Sequence, residues 1–155
     1  MTFDRDLLEI YRALLRDTQL QKAYQEFIRF FRWLRSSLEQ QLPEFRFQSG
    51  IAENAMDYAY FSFTSPELRE KGLKLVVAFV HKEFQLEVWL SGVNRQAQCR
   101  WADRLPGCAA PMEKAADPAH LDYLVRLPVT ADPADGDAAL AAVRQGMEKL
   151  LQLVC

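Results

Sequence analysis

The stretch LKLVVAFVHKEFQLEVWLSG, residues 73–92, decides the fold. Two runs rich in apolar and β-branched residues flank Lys82-Glu83, a pattern that predicts two antiparallel strands joined by a two-residue turn. That turn sets a register whose pairs on one face are Leu75–Leu90, Val77–Val88, Phe79–Leu86 and His81–Phe84, and on the other Val76–Trp89, Ala78–Glu87 and Val80–Gln85. We expect the first face to join the core, which leaves Glu87 and Trp89 free on the second.

Helical periodicity dominates the residues before this hairpin and the end of the chain. Apolar residues spaced by three and four predict helices over 3–16 and 19–41, and a final amphipathic helix after the turn at 132–137. We expect both N-terminal helices to pack on the apolar face of the hairpin, with Phe27, Phe31 and Leu34 among the most buried residues.

Shorter elements complete the predicted fold. Strands are predicted at 45–51, 56–63 and 121–129, the first two connected through Ala52–Ala55, and short helices at 65–72 and 94–104. Pro128 favours an edge position for the last strand. The prediction is a single α+β domain over 1–155, whose largely antiparallel, four- to five-stranded sheet packs against long N-terminal and C-terminal helices. Residues 106–119 are expected to form an irregular surface loop.

Composition excludes several classes of function. The chain has 155 residues and a formal net charge of −2, which indicates neither nucleic acid nor anionic lipid as a partner. No membrane-spanning run occurs, and the N-terminal segment lacks the apolar core of a signal peptide. Three cysteines without a CxxC pair, and two histidines that complete no zinc pattern with them, predict free thiols and a cytoplasmic protein. We predict no cofactor and no metal.

Several short segments resemble a known family. They are Ser49-Gly50, Asp57-Tyr58, Phe61-Ser62-Phe63 and the block from Phe84 to Asn94. On these segments, residues 5–104 resemble an uncharacterised family of small bacterial cytosolic proteins, a domain of unknown function, and the remaining tail resembles it more loosely. The resemblance implies the fold and assigns no catalytic residue.

The second face of the hairpin carries the candidate site. Strand alternation places Tyr58 and Tyr60 on one face of the neighbouring strand, and Gly92 turns the chain into a helix that begins at Asn94 and Arg95. Helix N-termini and guanidinium groups bind anions. We therefore predict one ligand-binding surface for a small anionic or amide-bearing ligand, made of Tyr58, Tyr60, Glu87, Trp89, Asn94 and Arg95. The structural alternative is a solvated sheet face in which Asn94 is only a helix cap.

Two function classes stay open. The favoured one is a non-enzymatic domain that binds a small molecule or another protein. The alternative is a small metal-assisted hydrolase or nuclease-like enzyme, in which Asp57 and Glu87 would hold Mg²⁺ if both point to the same face. The number of aromatic residues on the N-terminal helices leaves a monomer and a homodimer as equal alternatives.

Overall fold

The central hairpin forms in the predicted register. The computed structural model, which describes residues 1–155, pairs β4 (Leu73–Val80) with β5 (Gln85–Gly92), and Val77 faces Val88 while Ala78 faces Glu87. The turn differs at one residue. Phe84 has a positive φ of 48° and is 70% exposed, so it does not supply the core as expected. Its amide donates to His81 O at 3.0 Å, and its exposed ring contacts the margin of the core edge-on, with 5.2 Å between its centroid and that of Phe79.

The remaining strands extend this hairpin into one antiparallel sheet. They are β1 (Arg46–Phe47), β2 (Ala52–Asn54), β3 (Tyr58–Thr64), β6 (Glu113–Lys114) and β7 (Val125–Val129). The strand order is β1-β3-β4-β5-β7-β6, and β2 also pairs with β3. The predicted α+β class is confirmed, but the sheet has seven strands because β1, β2 and β6 add two or three residues each at its edges.

Four boundaries differ from the predictions. The strand predicted at 45–51 spans only Arg46–Phe47. Ala52–Asn54 is a strand rather than a connection, and the turn lies at Asn54–Asp57, where Ala55 and Met56 both have positive φ. Within the predicted irregular loop, Glu113 and Lys114 form β6 and pair with β7. Strand β7 is therefore next to the edge of the sheet rather than at the edge. The last long strand begins only at Val125, and residues 121–124 belong to the preceding loop.

Five helices accompany the sheet. They are α1 (Arg5–Asp17), α2 (Leu20–Gln41), α3 (Pro66–Glu70), α4 (Arg95–Ala102) and α5 (Gly136–Leu151). Helices α2 and α5 bury their apolar residues in the main core together with the inward side chains of β3, β4, β5 and β7. None of the helices is both long enough and apolar enough to cross a membrane.

Close packing of the main core depends on aromatic rings and one glycine. Phe31 and Leu34 are fully buried as predicted, and the ring of Phe31 lies 5.2 Å from that of Phe61. Phe27 is only partly buried, because it packs at the sheet end against Phe79 with 4.7 Å between ring centroids. At Gly146 a Cβ atom would stand 2.9 Å from Val129 Cγ1, so glycine allows α5 to approach the sheet.

Helix α1 does not pack on the core, contrary to the prediction. It contains no buried residue. Its apolar residues Leu7, Leu8, Ile10, Tyr11, Leu14 and Leu15 are 40–63% exposed. The amphipathic spacing is compatible with a helix whether or not its apolar side is covered. Helix α1 is not needed on the inner face of the sheet, because α2 and α5 already cover it.

Candidate functional site

The sheet face opposite α2 and α5 is covered by aromatic side chains rather than by a helix. Val76, Ala78 and Trp89 form a second buried cluster there, and Tyr58, Tyr60 and Tyr123 pack around it. The ring of Trp89 lies 5.3 Å from that of Tyr58 and 5.5 Å from that of Tyr123. Strand alternation on β3, β4 and β5 therefore creates a second, smaller apolar layer on what we call the open face of the sheet.

A buried ion pair lies beside this cluster. The Glu87 side chain is almost inaccessible, with the residue only 1% exposed, and it accepts one hydrogen bond from Trp89 Nε1 at 2.8 Å and one from an Arg126 terminal nitrogen at 2.9 Å. Arg126 reaches it because β7 pairs with β5 so that Trp89 faces Arg126. Partial burial lowers the pKa of Arg126, but the charge of Glu87 and its other neighbours outweighs this effect and raises it above the ordinary value. Glu87 is thus engaged internally rather than free for a ligand.

A cleft of about 380 Å³ opens next to the cluster, over the end of β5 and the start of α4. Its lining consists of Tyr58, Tyr60, Lys74, Val76, Trp89, Gly92, Val93, Asn94, Arg95 and Asp122. Five of the six predicted site residues meet in this cleft, and Glu87 lies outside it. Trp89 is only 6% exposed and contributes mainly the floor, whereas the half-buried Tyr58 and Tyr60 form the accessible aromatic wall.

Asp122 organises the polar side of the cleft. Its carboxylate accepts hydrogen bonds from the Tyr58 hydroxyl and from an Arg95 terminal nitrogen, both at 2.5 Å. Arg95 is therefore paired within the protein, not left as the unpaired anion-binding group that was expected. Asn94 caps α4 by accepting the Ala97 amide at 2.8 Å, as the structural alternative anticipated.

Gln98 fixes the loop that carries Asp122. This buried side chain accepts the Gly92 amide at 3.1 Å and donates to the carbonyl oxygens of Pro118 and Leu121, both at 2.8 Å. At Gly92 a Cβ atom would stand 2.5 Å from Gln98 N, so only glycine allows α4 to begin this close to the strand. No local sequence pattern marks Gln98, Lys74 or Asp122 as site residues. Asp122 lies beyond the aperiodic loop, in a segment for which a strand is predicted.

The Tyr58–Asp122 hydrogen bond shifts the pKa values of both partners. Burial, followed by the hydrogen bond to Asp122, raises the pKa of Tyr58 from 10.0 to about 12. The hydrogen bond from Tyr58, supported by Arg95, lowers the pKa of Asp122, although partial burial acts in the opposite direction. At neutral pH the phenol is therefore neutral and the carboxylate ionised, as a stable donor–acceptor pair requires.

Asp57 and Glu87 do not form the carboxylate pair that the enzyme alternative needs. Asp57 is exposed in the turn before β3, and Glu87 is buried beneath Trp89 and Arg126. No group of three or more histidine, cysteine or acidic side chains is arranged to hold a metal ion.

The fold and cleft define an α+β domain with one sheet face packed by helices and the other open around an aromatic cleft. The chain belongs to the family described as Domain of unknown function (DUF7000), whose model matches residues 4–154. The residues after 104, which resemble the family only loosely, are therefore part of the family domain together with residues 5–104. No curated protein and no solved structure matched the chain.

The raised pKa of Tyr58 predicts a specific loss of stability in alkali. Tyr58 ionises near 10.0 in the unfolded chain and at about 12 in the folded one. Its contribution to stability is therefore complete below pH 10 and is lost as the pH rises toward 12. We expect the free energy of unfolding, measured with urea between pH 9 and 11, to fall less steeply for Tyr58→Phe than for wild type. Tyr11→Phe, on exposed α1, should follow wild type, and equal slopes for all three proteins would contradict the assignment.

Proposed function

We propose that the protein is a non-enzymatic binding domain that holds a small ligand with a flat group and an anionic or amide group in the open-face cleft. The observation that carries the proposal is the combination of an accessible aromatic wall, Tyr58 and Tyr60, with the ammonium group of Lys74. No ion pair of the chain includes Lys74. Ligand sites commonly join apolar walls to a few polar groups in this way.

Each predicted residue has a distinct part in this proposal. Tyr60 and Tyr58 stack on the flat part of the ligand, and Trp89 supports them from below. Asn94 uses its Oδ1 atom as the helix cap, so its amide nitrogen remains available to a ligand carbonyl or anion. Arg95, held by Asp122, presents its remaining N–H groups at the rim. Glu87 acts indirectly by orienting the Trp89 indole.

The cysteine side chains support a cytoplasmic location. Cys99, Cys108 and Cys155 are all free. Free thiols are typical of reducing compartments, and we propose the cytoplasm on that basis.

The binding proposal predicts that Tyr60→Ala weakens ligand binding without unfolding the protein. Suitable probes are nicotinamide, benzoate and phenyl phosphate, each titrated into isotope-labelled protein while amide chemical shifts are recorded. We expect shifts at residues lining the cleft and a roughly 3- to 10-fold weaker Kd for Tyr60→Ala, because a stacking contact contributes about 0.5–1.5 kcal/mol. Phe3→Ala, at an aromatic residue that is 76% exposed and lies before α1, is the matched control and should bind like wild type. Shifts clustered elsewhere, or equal effects of both variants, would contradict the cleft as the site.

We also propose that the exposed face of α1 pairs with α1 of a second copy of this chain. Six large apolar residues line it without any buried contact. Residues 4–9 carry three acidic residues and one arginine, a net charge of −2, and residues 10–17 carry two arginines and one aspartate, a net charge of +1. An antiparallel pair would therefore place halves of opposite net charge together. Residues 4–17 carry four acidic residues and three arginines, a balance that does not favour anionic membrane surfaces.

Self-association through α1 predicts a dimer that disappears when the helix face is charged. Light scattering during gel filtration at about 100 μM should give twice the chain mass for wild type and for Met56→Glu, a control at an exposed turn. The double variant Leu7→Glu/Leu14→Glu should give the single-chain mass with an unchanged circular dichroism spectrum, because neither residue is buried. A monomeric wild type, or a dimer that survives the double variant, would contradict this proposal.

A further inference from the structure

A second concavity, of about 450 Å³, adjoins the open-face cleft. Lys74 and Val93 line both, so the two concavities lie side by side, and we call them together the groove. The polar lining of the second part comes from β1 and the residue after it, β3, α3 and β4. Its residues are Arg46, Gln48, Ser62, Thr64, Arg69 and Lys74. We call this part the cationic pocket.

The cationic pocket concentrates positively charged side chains, and no acidic side chain lines it. Arg46, Arg69 and Lys74 contribute three cations. None of the three takes part in an ion pair. The whole chain carries a net charge of −2, so this accumulation is local rather than general. A concave surface of one charge sign attracts ligands of the opposite sign.

Hydrogen bonds within the protein also hold the neutral polar side chains of the pocket in place. Ser62 donates to Gln48 Oε1 at 2.6 Å, which leaves the amide nitrogen of Gln48 as a free donor. The backbone carbonyl of Gln48 is held by Arg35, with Nε at 3.1 Å. Thr64 donates to Leu73 O at 2.9 Å. The pocket therefore contains, besides its three cations, the free amide donor of Gln48, whose backbone is held in place by Arg35.

The separation between the two parts constrains the ligand. Tyr60, Ser62 and Thr64 follow one another on the same face of β3, and each step of two residues spans about 7 Å. A group bound near Ser62 to Thr64 thus lies about 7–13 Å along the strand from a ring stacked on Tyr60. A carboxylate can be satisfied by a single guanidinium, whereas a phosphate group offers more negative charge and more oxygens to cations that come from three elements.

We propose that the groove binds a phosphorylated compound whose flat ring lies in the cleft and whose phosphate groups, separated from the ring by a linker, lie in the cationic pocket. A nucleoside diphosphate has this chemistry. The inference rests on the proposed function, because it uses the same aromatic wall, and adds the cationic pocket as the site that decides the ligand class.

Calorimetric titration with ADP, adenosine and inorganic pyrophosphate tests the inference. ADP should bind at least about tenfold more tightly than adenosine or pyrophosphate, because linked groups bind the two parts together. Arg46→Gln and Arg69→Gln should each weaken ADP and pyrophosphate several-fold and leave adenosine unchanged. Arg32→Gln, an exposed arginine on α2, is the matched control and should change none of the three. Thermal melts should verify that each variant is folded.

The outcomes separate this inference from the proposed function. If adenosine binding is weakened by Tyr60→Ala but ADP binds no more tightly than adenosine, the cationic pocket is not a phosphate site. The cleft would then remain the proposed ligand site. A pyrophosphate Kd that is the same for wild type, Arg46→Gln and Arg69→Gln would also contradict the cationic pocket as the phosphate site. If, in addition, phenyl phosphate, nicotinamide and benzoate cause no amide chemical-shift changes at the cleft residues, the proposed function is contradicted as well.

Discussion

The ion pair between Glu87 and Arg126 is the interaction on which the open face depends. Glu87 lies on the central strand β5 and is almost completely buried, and a buried carboxylate without a partner would cost several kcal/mol. Arg126 lies beside it in the observed register of β7 against β5, and a slip of one residue would move Arg126 to the other face of the sheet. That register in turn sets where the loop before β7 crosses the sheet, and so brings Asp122 to the cleft and Tyr123 against Trp89.

The two faces of the sheet consequently differ in how they are stabilised. The inner face buries a large apolar cluster against two long helices. The open face has only a thin aromatic layer, reinforced by the hydrogen bonds of Glu87, Asp122 and Gln98. Such a layer leaves room for a groove while its polar partners hold the lining side chains in place, which is the arrangement that a preorganised binding site requires.

The features of the fold that could be predicted from the sequence are those that local periodicity determines. The hairpin register followed from two alternating apolar strands, and the meeting of Tyr60, Trp89 and Arg95 followed from alternation and the turn at Gly92. The polar partners could not be predicted, because Arg126 lies 39 residues after Glu87 and Asp122 lies 64 after Tyr58, across a segment without periodicity. The exposure of α1 was equally hidden, since an amphipathic period does not specify which surface covers the apolar side.

A double-mutant cycle on Glu87 and Arg126 tests the central role of their ion pair most directly. Glu87→Met and Arg126→Met would be measured singly and together by chemical denaturation at pH 7. The single variant Arg126→Met should lose about 3–5 kcal/mol, because it leaves a buried carboxylate without its partner. The double variant should lose less than the sum of the singles by at least about 2 kcal/mol. Additive losses would contradict the account, because they would mean that the two side chains stabilise the open face independently.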